Sequence, residues 1–230
     1  MSRALKLLDP ELVAQLVTAE RLRDRQGFCS TGIRAIDELL GGGWTRGALS
    51  ELCGRRSSGR TSVLMASLAT ALGAGHATAL VDVDGTLDPR GAAAAGVPLD
   101  RLLWVRASRR EALKAADLLI SAGGFGLVAL DLGEELLRIN SASWIRLKHA
   151  AERQRTAVVV AVPRPTVGAF AASALDLLGL RPLFDSDGPP LLVALRTAVE
   201  VRRHRRSNDV AATRTNLIVK ANHGRPWQPL

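Results

Sequence analysis

The sequence predicts an α/β fold in which helices cover both faces of a mostly parallel, twisted sheet. Apolar runs alternate with helix-like segments along most of the chain, as in parallel sheets whose strands are joined by helices. One run, AVVVAV, is apolar throughout, which is expected of a strand that is buried on both faces. The segment GRRSSGRTS lies between a predicted strand and a predicted helix, a position at which α/β proteins often bind phosphate.

Each element is assigned from apolar periodicity, capping residues and turn residues. Residues 1–28 form a predicted N-terminal helical extension, in which a helix runs from Asp9 to Arg25 with Pro10 at its first position. Residues 29–230 form one predicted core domain. Within this core we predict helices at 30–40, 61–72, 109–122, 143–153 and 167–180, and strands at 48–53, 78–83, 127–131, 156–162, 190–203 and 216–220.

The composition is that of a single globular domain. The 230 residues suffice for one large core, and a content of 47% hydrophobic and 23% charged residues excludes a disordered chain. No apolar run approaches the roughly 20 residues that cross a bilayer, and the start MSRALKLLDPEL is too polar for a signal peptide. We therefore expect a cytoplasmic protein without membrane contact.

The net charge and the cysteines exclude few classes of function. An excess of 31 basic over 22 acidic residues permits nucleic acid or an acidic protein as partner, although codon bias toward arginine alone could produce it. Cys29 and Cys53 are too few for a disulfide framework and are predicted to be core or strand thiols. No metal site is expected, because the histidines are scattered without ligand spacing: His76, His149, His204 and His223.

The segment at residues 54–62 nearly matches a phosphate-binding loop. That pattern has glycine, four residues, glycine, lysine and then serine or threonine, and Gly54, Gly59 and Thr61 fit it. Arg60 stands at the lysine position, where a wide, planar guanidinium is not equivalent to a slender ammonium. The segment therefore predicts an ancestral nucleotide site that does not hydrolyse ATP, and its candidate residues are Gly54, Ser57, Ser58, Gly59, Arg60, Thr61 and Ser62.

Two acidic residues are candidates to complete this site. Asp131 ends the predicted strand GLVALD, where a carboxylate would hold a magnesium ion near the Thr61 hydroxyl. Asp84 ends the preceding strand, in VDVDGTLDP, where a carboxylate would orient an attacking water. The alternative for each is that it caps a strand end or a turn.

From Ser30 to about Trp227 the chain resembles the RecA family. The matching stretches are STGIRAIDELLGGGWTRGALSELCGRRSSGRTS, ALVDVDGTLDPRGAAAAGVPLDRLLWVRA, GLVALDLGEEL and VEVRRHRRSNDVAATRTNLIVKANHGRPW. The resemblance implies a RecA-like core with a phosphate loop. It also implies that Lys220 is the counterpart of a lysine that reaches a neighbouring subunit's nucleotide in RecA filaments.

The chain departs from the RecA pattern at the positions that carry its chemistry. RecA proteins have lysine where this chain has Arg60 and a catalytic glutamate where it has Asp84. They have a phosphate-sensing glutamine after the fourth strand, which is followed here by Pro163, Arg164 and Pro165. The two DNA-contacting loops of RecA are replaced by a short segment after Asp131 and by an alanine- and leucine-rich stretch at 168–180. No active enzyme is therefore expected, and no cofactor, with weak binding of ATP and Mg²⁺ as the alternative.

This combination of losses looks like ImuA, a shortened RecA-like family of bacterial damage-induced mutagenesis. The resemblance implies a non-catalytic accessory protein of translesion synthesis that binds ImuB and RecA. It further implies an indirect association with an error-prone C-family DNA polymerase, and a place at the nucleoid when DNA is damaged. The alternatives are a slow RecA-like DNA-dependent ATPase and a SulA-like inhibitor of cell division, although the retained loop counts against the latter.

Two surfaces are candidates for binding partners. The apolar stripe of the N-terminal helix docks on RecA or on a second copy of the chain, or else packs on its own core. The basic strand end binds DNA weakly or an acidic partner, or is a solvated turn. The residues of these surfaces are Leu12, Val13, Leu16 and Val17, and Arg202, Arg203, Arg205 and Arg206.

Overall fold

The computed structural model describes residues 27–135, 139–184, 192–204 and 214–220. The predicted helix from Asp9 to Arg25 and its apolar stripe lie outside the described residues, as do Arg205 and Arg206. Among the described residues, no helix is both long enough and apolar enough to cross a membrane.

An eight-stranded sheet forms the centre of the fold, and a separate two-stranded pair precedes it. The strands are β1 (Phe28–Cys29), β2 (Trp44–Thr45), β3 (Ala48–Cys53), β4 (Ala77–Asp82), β5 (Leu102–Arg106), β6 (Phe125–Asp131), β7 (Ala157–Val162), β8 (Ala171–Phe184), β9 (Leu192–His204) and β10 (Arg214–Lys220). The order in the large sheet is β10-β9-β8-β3-β7-β6-β4-β5. Neighbours from β8 to β5 are parallel, whereas β9 and β10 add antiparallel strands at one edge. Strands β1 and β2 form the separate antiparallel pair.

Helices cover both faces of the sheet, as the sequence predicts. They are α1 (Arg34–Leu39), α2 (Arg60–Gly73), α3 (Pro89–Ala94), α4 (Ala112–Ala122) and α5 (Ser141–Gln154). Alternate residues of β7 supply the two cores: Ala157, Val159 and Ala161 pack in the cluster with α1 and α2, and their neighbours pack in the cluster with α4 and α5. This period of two explains why AVVVAV is apolar at every position.

The prediction of a helix at 167–180 is wrong. A short 3₁₀ turn at Gly168–Phe170 leads into β8, which pairs parallel with β3 and antiparallel with β9. Its alanines and leucines favour a helix locally, but pairing on both sides satisfies the backbone and buries Leu175 completely. Helix α3 and the strands β1, β2 and β5 were also not predicted.

Both cysteines are buried strand thiols, which confirms the prediction. Burial raises the pKa of Cys29 to about 11. Burial together with the nearby Glu51 carboxylate raises the pKa of Cys53 to about 12. Thiolate is the reactive form, so both side chains are chemically protected in the folded chain.

We expect neither thiol of the folded protein to react appreciably with iodoacetamide at pH 8, and both to react after unfolding in guanidinium. Mass spectrometry counts the labelled sites. Leu118→Cys is the matched control, because Leu118 is 63% exposed on α4 and should be labelled without unfolding. Rapid labelling of Cys53 in the native chain would contradict the buried position.

Candidate functional site

The loop between β3 and α2 has the backbone shape of a phosphate loop. The Gly54 N–H donates to the Val162 carbonyl at 3.0 Å, and a Cβ at Gly54 would lie 2.1 Å from Ser58 Oγ. Ser57 and Gly59 are left-handed, with φ values of 59° and 94°, and the Ser58 N–H donates to the Arg55 carbonyl in a turn before the helix begins. Left-handed residues in such a turn point amide N–H groups into one concavity. The loop residues predicted from the sequence are therefore brought together.

Arg60 is the first residue of α2, and its charged side chain does not point into solvent. Only 6% of its side chain is exposed. One terminal nitrogen, Nη1, donates to the Gly54 carbonyl at 2.7 Å. The other, Nη2, donates to Glu134 Oε1 at 2.7 Å and lies 3.7 Å from Asp131 Oδ1. The guanidinium thus joins the phosphate loop to the end of β6 and the residues that follow it.

Asp131 lies at the end of β6, as predicted, and faces Arg60. Burial raises the pKa of this carboxyl, while the Arg60 charge and the hydrogen bond from the Gly133 N–H act to lower it. Ionisation of the Asp131 carboxyl therefore costs free energy unless a cation lies nearby. In this structure the cation is a side chain of the protein itself.

Asp84 lies two residues beyond the end of β4, so the prediction that it ends the strand is wrong. Asp82 is the terminal residue instead, and its carboxylate accepts from the N–H groups of Thr86 and Leu87. Asp84 accepts from Arg109 Nη2 at 2.9 Å and from the Glu134 N–H at 3.2 Å. The hydrogen bond from Arg109 lowers the pKa of Asp84. Arg109 also pairs with Glu135, so a second arginine holds this group of acids.

These side chains surround a cavity of about 260 Å³ at the carboxyl edge of the sheet. Because parallel strands end at the same edge, residues far apart in sequence meet there. The lining residues are Arg55, Arg56, Ser57, Gly59, Arg60, Thr61, Ser62, Asp84, Thr86, Asp131, Gly133 and Glu134.

Comparison with known proteins identifies the family. Residues 11–138 match the model of the RecA N-terminal domain. The chain belongs to the RecA family. It is 42% identical over 104 residues to the protein RecA of Limosilactobacillus reuteri (strain DSM 20016), a match that covers 44% of this chain and 29% of that protein. It is 35% identical over 135 residues to the protein RecA of Streptococcus parasanguinis, covering 57% and 35% respectively. The chain thus matches about a third of the length of these relatives.

A solved structure agrees with the RecA fold. The crystal structure of the RadB recombinase superposes with a TM-score of 0.65 at 19% identity, covering 88% of this chain and 100% of that chain. This likeness concerns the fold alone. The α/β fold with a mostly parallel sheet, predicted from the sequence, is confirmed.

The RecA-family site, as it stands in this chain, does not fit Mg²⁺. A phosphate loop ordinarily binds the metal through a threonine hydroxyl and the strand-end aspartate. Thr61 is exposed and lines the cavity, but the Asp131 carboxylate lies against a guanidinium and Glu134 is paired with the same group. A second cation at these carboxylates would meet like-charge repulsion.

The segment after β7 is held by a buried carboxylate. Glu51 lies in β3 with its side chain fully buried. Its Oε1 accepts from the N–H groups of Thr166 and Val167, at 2.5 and 2.7 Å. Its Oε2 accepts from Arg202 Nη2 at 3.3 Å. The residues following Pro163 are therefore fixed to the centre of the sheet.

The predicted basic surface is only partly as expected. Arg202 is committed to internal contacts with Glu51, Asp176 and Cys53, so the geometry favours a structural role for it. Arg203 is exposed and its Nη1 lies 3.5 Å from the Ala169 carbonyl. Lys220 lies on the edge strand β10, three strands from β3, and its role toward a neighbouring subunit stays a prediction.

Sequence analysis missed Glu134 and Arg109, which neutralise charges at the site, and Glu51, which holds the segment after β7. Glu51 had a usable signal, because a charged residue inside the apolar strand ALSELC needs a partner when buried. Glu134 and Arg109 had none, since both lie in polar loops whose neighbours depend on the order of the strands.

A double-mutant cycle tests the Arg60–Glu134 ion pair. We expect Arg60→Ala, Glu134→Ala and the double variant to give a coupling free energy of about 1–2 kcal/mol in urea unfolding, because the guanidinium is buried. The Arg34–Glu38 pair is the matched control, with the same 2.7 Å separation but side chains that are 87% and 64% exposed. Its coupling should be smaller, because both side chains are solvated. Equal coupling in the two pairs would refute the buried ion pair.

The Asp84–Arg109 contact predicts a pH-dependent effect on stability. Because the pKa of Asp84 is lower in the folded chain, its contribution is fully present above the unfolded pKa of about 3.9 and is lost as the pH falls through the folded value. Asp84→Asn should therefore reduce the free energy of unfolding at pH 7 by up to about 1 kcal/mol, and by less at acid pH. Asp100→Asn, at an exposed position, is the control. The same loss at pH 7 and pH 3 would show that the carboxylate charge is not involved.

Proposed function

We propose that this chain is a non-catalytic accessory protein of damage-induced translesion DNA synthesis, of the ImuA type. In this role the RecA core is a scaffold that binds ImuB and RecA and assembles or regulates an error-prone polymerase complex. Membership of the RecA family supports the core of this proposal. The particular partners rest on the resemblance to ImuA.

One observation carries the non-catalytic part of the proposal. The guanidinium of Arg60, at the position of the catalytic lysine, is buried against Glu134 and Asp131 instead of lying free in the cavity. A side chain with these two partners is not available to follow charge that develops on a transferred phosphoryl group. Asp84, at the position of the catalytic glutamate, is likewise held by Arg109.

A second observation supports the loss of nucleotide-dependent signalling. The segment after β7 is tied to Glu51 by two backbone N–H donors. A segment that is held by a fully buried carboxylate has little freedom to change with the state of a nucleotide. In this proposal the chain retains the RecA fold because its surfaces bind partner proteins.

A slow RecA-like DNA-dependent ATPase is the competing function. The retained cavity favours it, because the exposed Thr61, the half-buried Ser62 and Asp131 still line one space. The two functions differ in one measurable property, which is turnover that depends on Asp131.

We expect no Mg²⁺-dependent hydrolysis of ATP by the purified full chain, with or without single-stranded DNA, in a coupled assay. Arg60→Lys and Asp131→Ala should leave this result unchanged, because Asp84 remains held by Arg109. Turnover that is present in the wild type and abolished by Asp131→Ala would reject the accessory role in favour of the ATPase.

Partner binding is tested by co-purification with ImuB and, separately, with RecA. Leu12→Glu combined with Leu16→Glu should abolish binding of RecA if the predicted N-terminal helix docks on it, since two charges disrupt an apolar contact. Gln15→Glu, on the same predicted helix, is the control. Unchanged binding of RecA by the double variant would assign docking to another surface, and absence of binding to both partners would overturn the proposed function.

A further inference from the structure

The antiparallel end of the sheet is formed by β8, β9 and β10, and one of its faces packs against the core. Leu177, Val199 and Leu217, one from each strand, are buried in the cluster with α1 and α2. The cluster with α4 and α5 contains Ala171 at the start of β8 but no described residue of β9 or β10. Within the described residues, the other face of these two strands therefore has no helical layer, unlike the parallel part of the sheet.

The residues on this other face are identified by the register of the strands. Arg181, Arg196 and Ile218 are partners across β8, β9 and β10. Side chains that lie directly opposite one another in an antiparallel sheet project from the same face. The next row contains Thr197 and Leu217, which are buried. Because neighbouring rows alternate, the row of Arg181 faces away from α1.

We call the surface formed by Leu178, Arg181, Arg196 and Ile218 the outer face of β8–β10. Leu178 follows the buried Leu177 along the strand, so it projects from the outer face. It is 46% exposed, and Ile218 is 44% exposed. Large apolar side chains grouped with arginine on one face are typical of a surface that binds protein.

The two arginines of the outer face have an unfavourable arrangement in the free chain. Arg181 and Arg196 lie directly opposite each other on neighbouring strands, where like charges repel. Both are exposed, and neither has an ion pair within the described part of the chain. By contrast, Arg202 on β9 pairs with Asp176 on β8. Arg181 and Arg196 are therefore available to the carboxylates of a partner.

The dimensions and the chemistry of the outer face suit one helix of another protein. Neighbouring strands lie about 4.8 Å apart, so three strands span about 10 Å, which is the diameter of an α-helix. A second copy of the chain is a poor occupant, because a symmetric contact would bring arginine against arginine. The phosphates of a nucleic acid would pair with the arginines but would not use Leu178 and Ile218.

We propose that the outer face of β8–β10 binds an acidic amphipathic helix of a partner protein. The apolar side of that helix contacts Leu178 and Ile218, and its Asp or Glu side chains pair with Arg181 and Arg196. The bound helix supplies on this face the layer that α4 and α5 supply over the parallel strands. This inference goes beyond the proposed function, because it assigns a surface and a partner chemistry that do not depend on which protein the partner is.

Fluorescence anisotropy with two labelled peptides tests this surface on the full chain. Both peptides are about 18 residues long and carry the same leucine stripe at helical spacing, and their polar positions are glutamate in one and lysine in the other. We expect saturable binding of the glutamate peptide that weakens with added salt, and binding of the lysine peptide that is weaker by about tenfold or more. Labelled single-stranded oligo-dT is measured in parallel.

Charge reversal tests the role of the arginines. Arg181→Glu combined with Arg196→Glu should weaken binding of the glutamate peptide by about tenfold or more, and it should strengthen binding of the lysine peptide, which a loss of folding could not do. Arg146→Glu combined with Arg153→Glu is the matched control, because it makes the same change of charge at exposed positions of α5. It should leave both affinities within about twofold.

Serine variants test the apolar part of the outer face. Leu178→Ser combined with Ile218→Ser should weaken binding of the glutamate peptide by about tenfold or more, because two apolar contacts are lost while the arginines remain. Leu118→Ser combined with Ile145→Ser is the matched control, since these side chains are 63% and 41% exposed on α4 and α5. Circular dichroism establishes that each variant is folded.

A single substitution tests whether the two arginines are unpaired in the free chain. Arg196→Glu should raise the Tm by about 1–3 °C, because an opposite-charge pair with Arg181 replaces a like-charge pair. A lower Tm would show that acidic residues elsewhere in the chain already neutralise Arg196. The outer face would then not be available to a partner, and the proposal would be wrong.

Three further results would overturn the proposal. One is the absence of saturable binding of the glutamate peptide. Another is equal weakening of that binding by the Arg181 and Arg196 double variant and by the Arg146 and Arg153 control. The third is tighter binding of oligo-dT than of the glutamate peptide, lost when Arg181 and Arg196 are reversed, which would make the outer face a nucleic-acid surface. Co-purification with ImuB and RecA is a separate measurement, so the proposed function and this surface fail on different observations.

Discussion

The structure of the carboxyl edge of the sheet depends on the contacts of the Arg60 guanidinium. Its nitrogens join the carbonyl of Gly54 in the phosphate loop to Glu134 beyond β6, and they lie near Asp131 at the end of that strand. A buried cation is stable only when it is paired. The acidic residues around Arg60 are therefore needed first to stabilise its buried charge. Arg109 neutralises Asp84, another acidic residue that lines the cavity.

The strand order makes such an arrangement possible. Strands β3, β7, β6 and β4 are parallel neighbours, so the loops that follow them emerge side by side. Three of those loops are joined to one another by charged side chains: the loop after β3 through Arg60, the loop after β4 through Asp84 and the loop after β6 through Glu134. The loop after β7 is held instead by Glu51 of β3. This edge of the sheet is thus held together by internal ion pairs and hydrogen bonds.

Much of the fold was predictable because local sequence encodes it directly. The wholly apolar β7, the glycines of the phosphate loop and the burial of both cysteines follow from periodicity, backbone sterics and composition. The prediction failed at β8, where a segment with good helix formers lies between two strands whose pairing outweighs its local preference. The placement of Asp84 failed by two residues, since the boundaries of short strands are weakly encoded.

By itself the sequence determined that the chain has a RecA-type phosphate loop and that this loop carries arginine in place of lysine. Only the tertiary structure decided what the arginine does. Its partner Glu134 lies 74 residues along the chain, and Glu51 is 151 residues from Arg202. Spacing and propensity describe neighbours within a few turns of the backbone, whereas an ion pair requires two loops to emerge at the same edge of the sheet. That meeting is fixed by the order and direction of the strands, so the chemical state of the site follows from the fold and not from the motif.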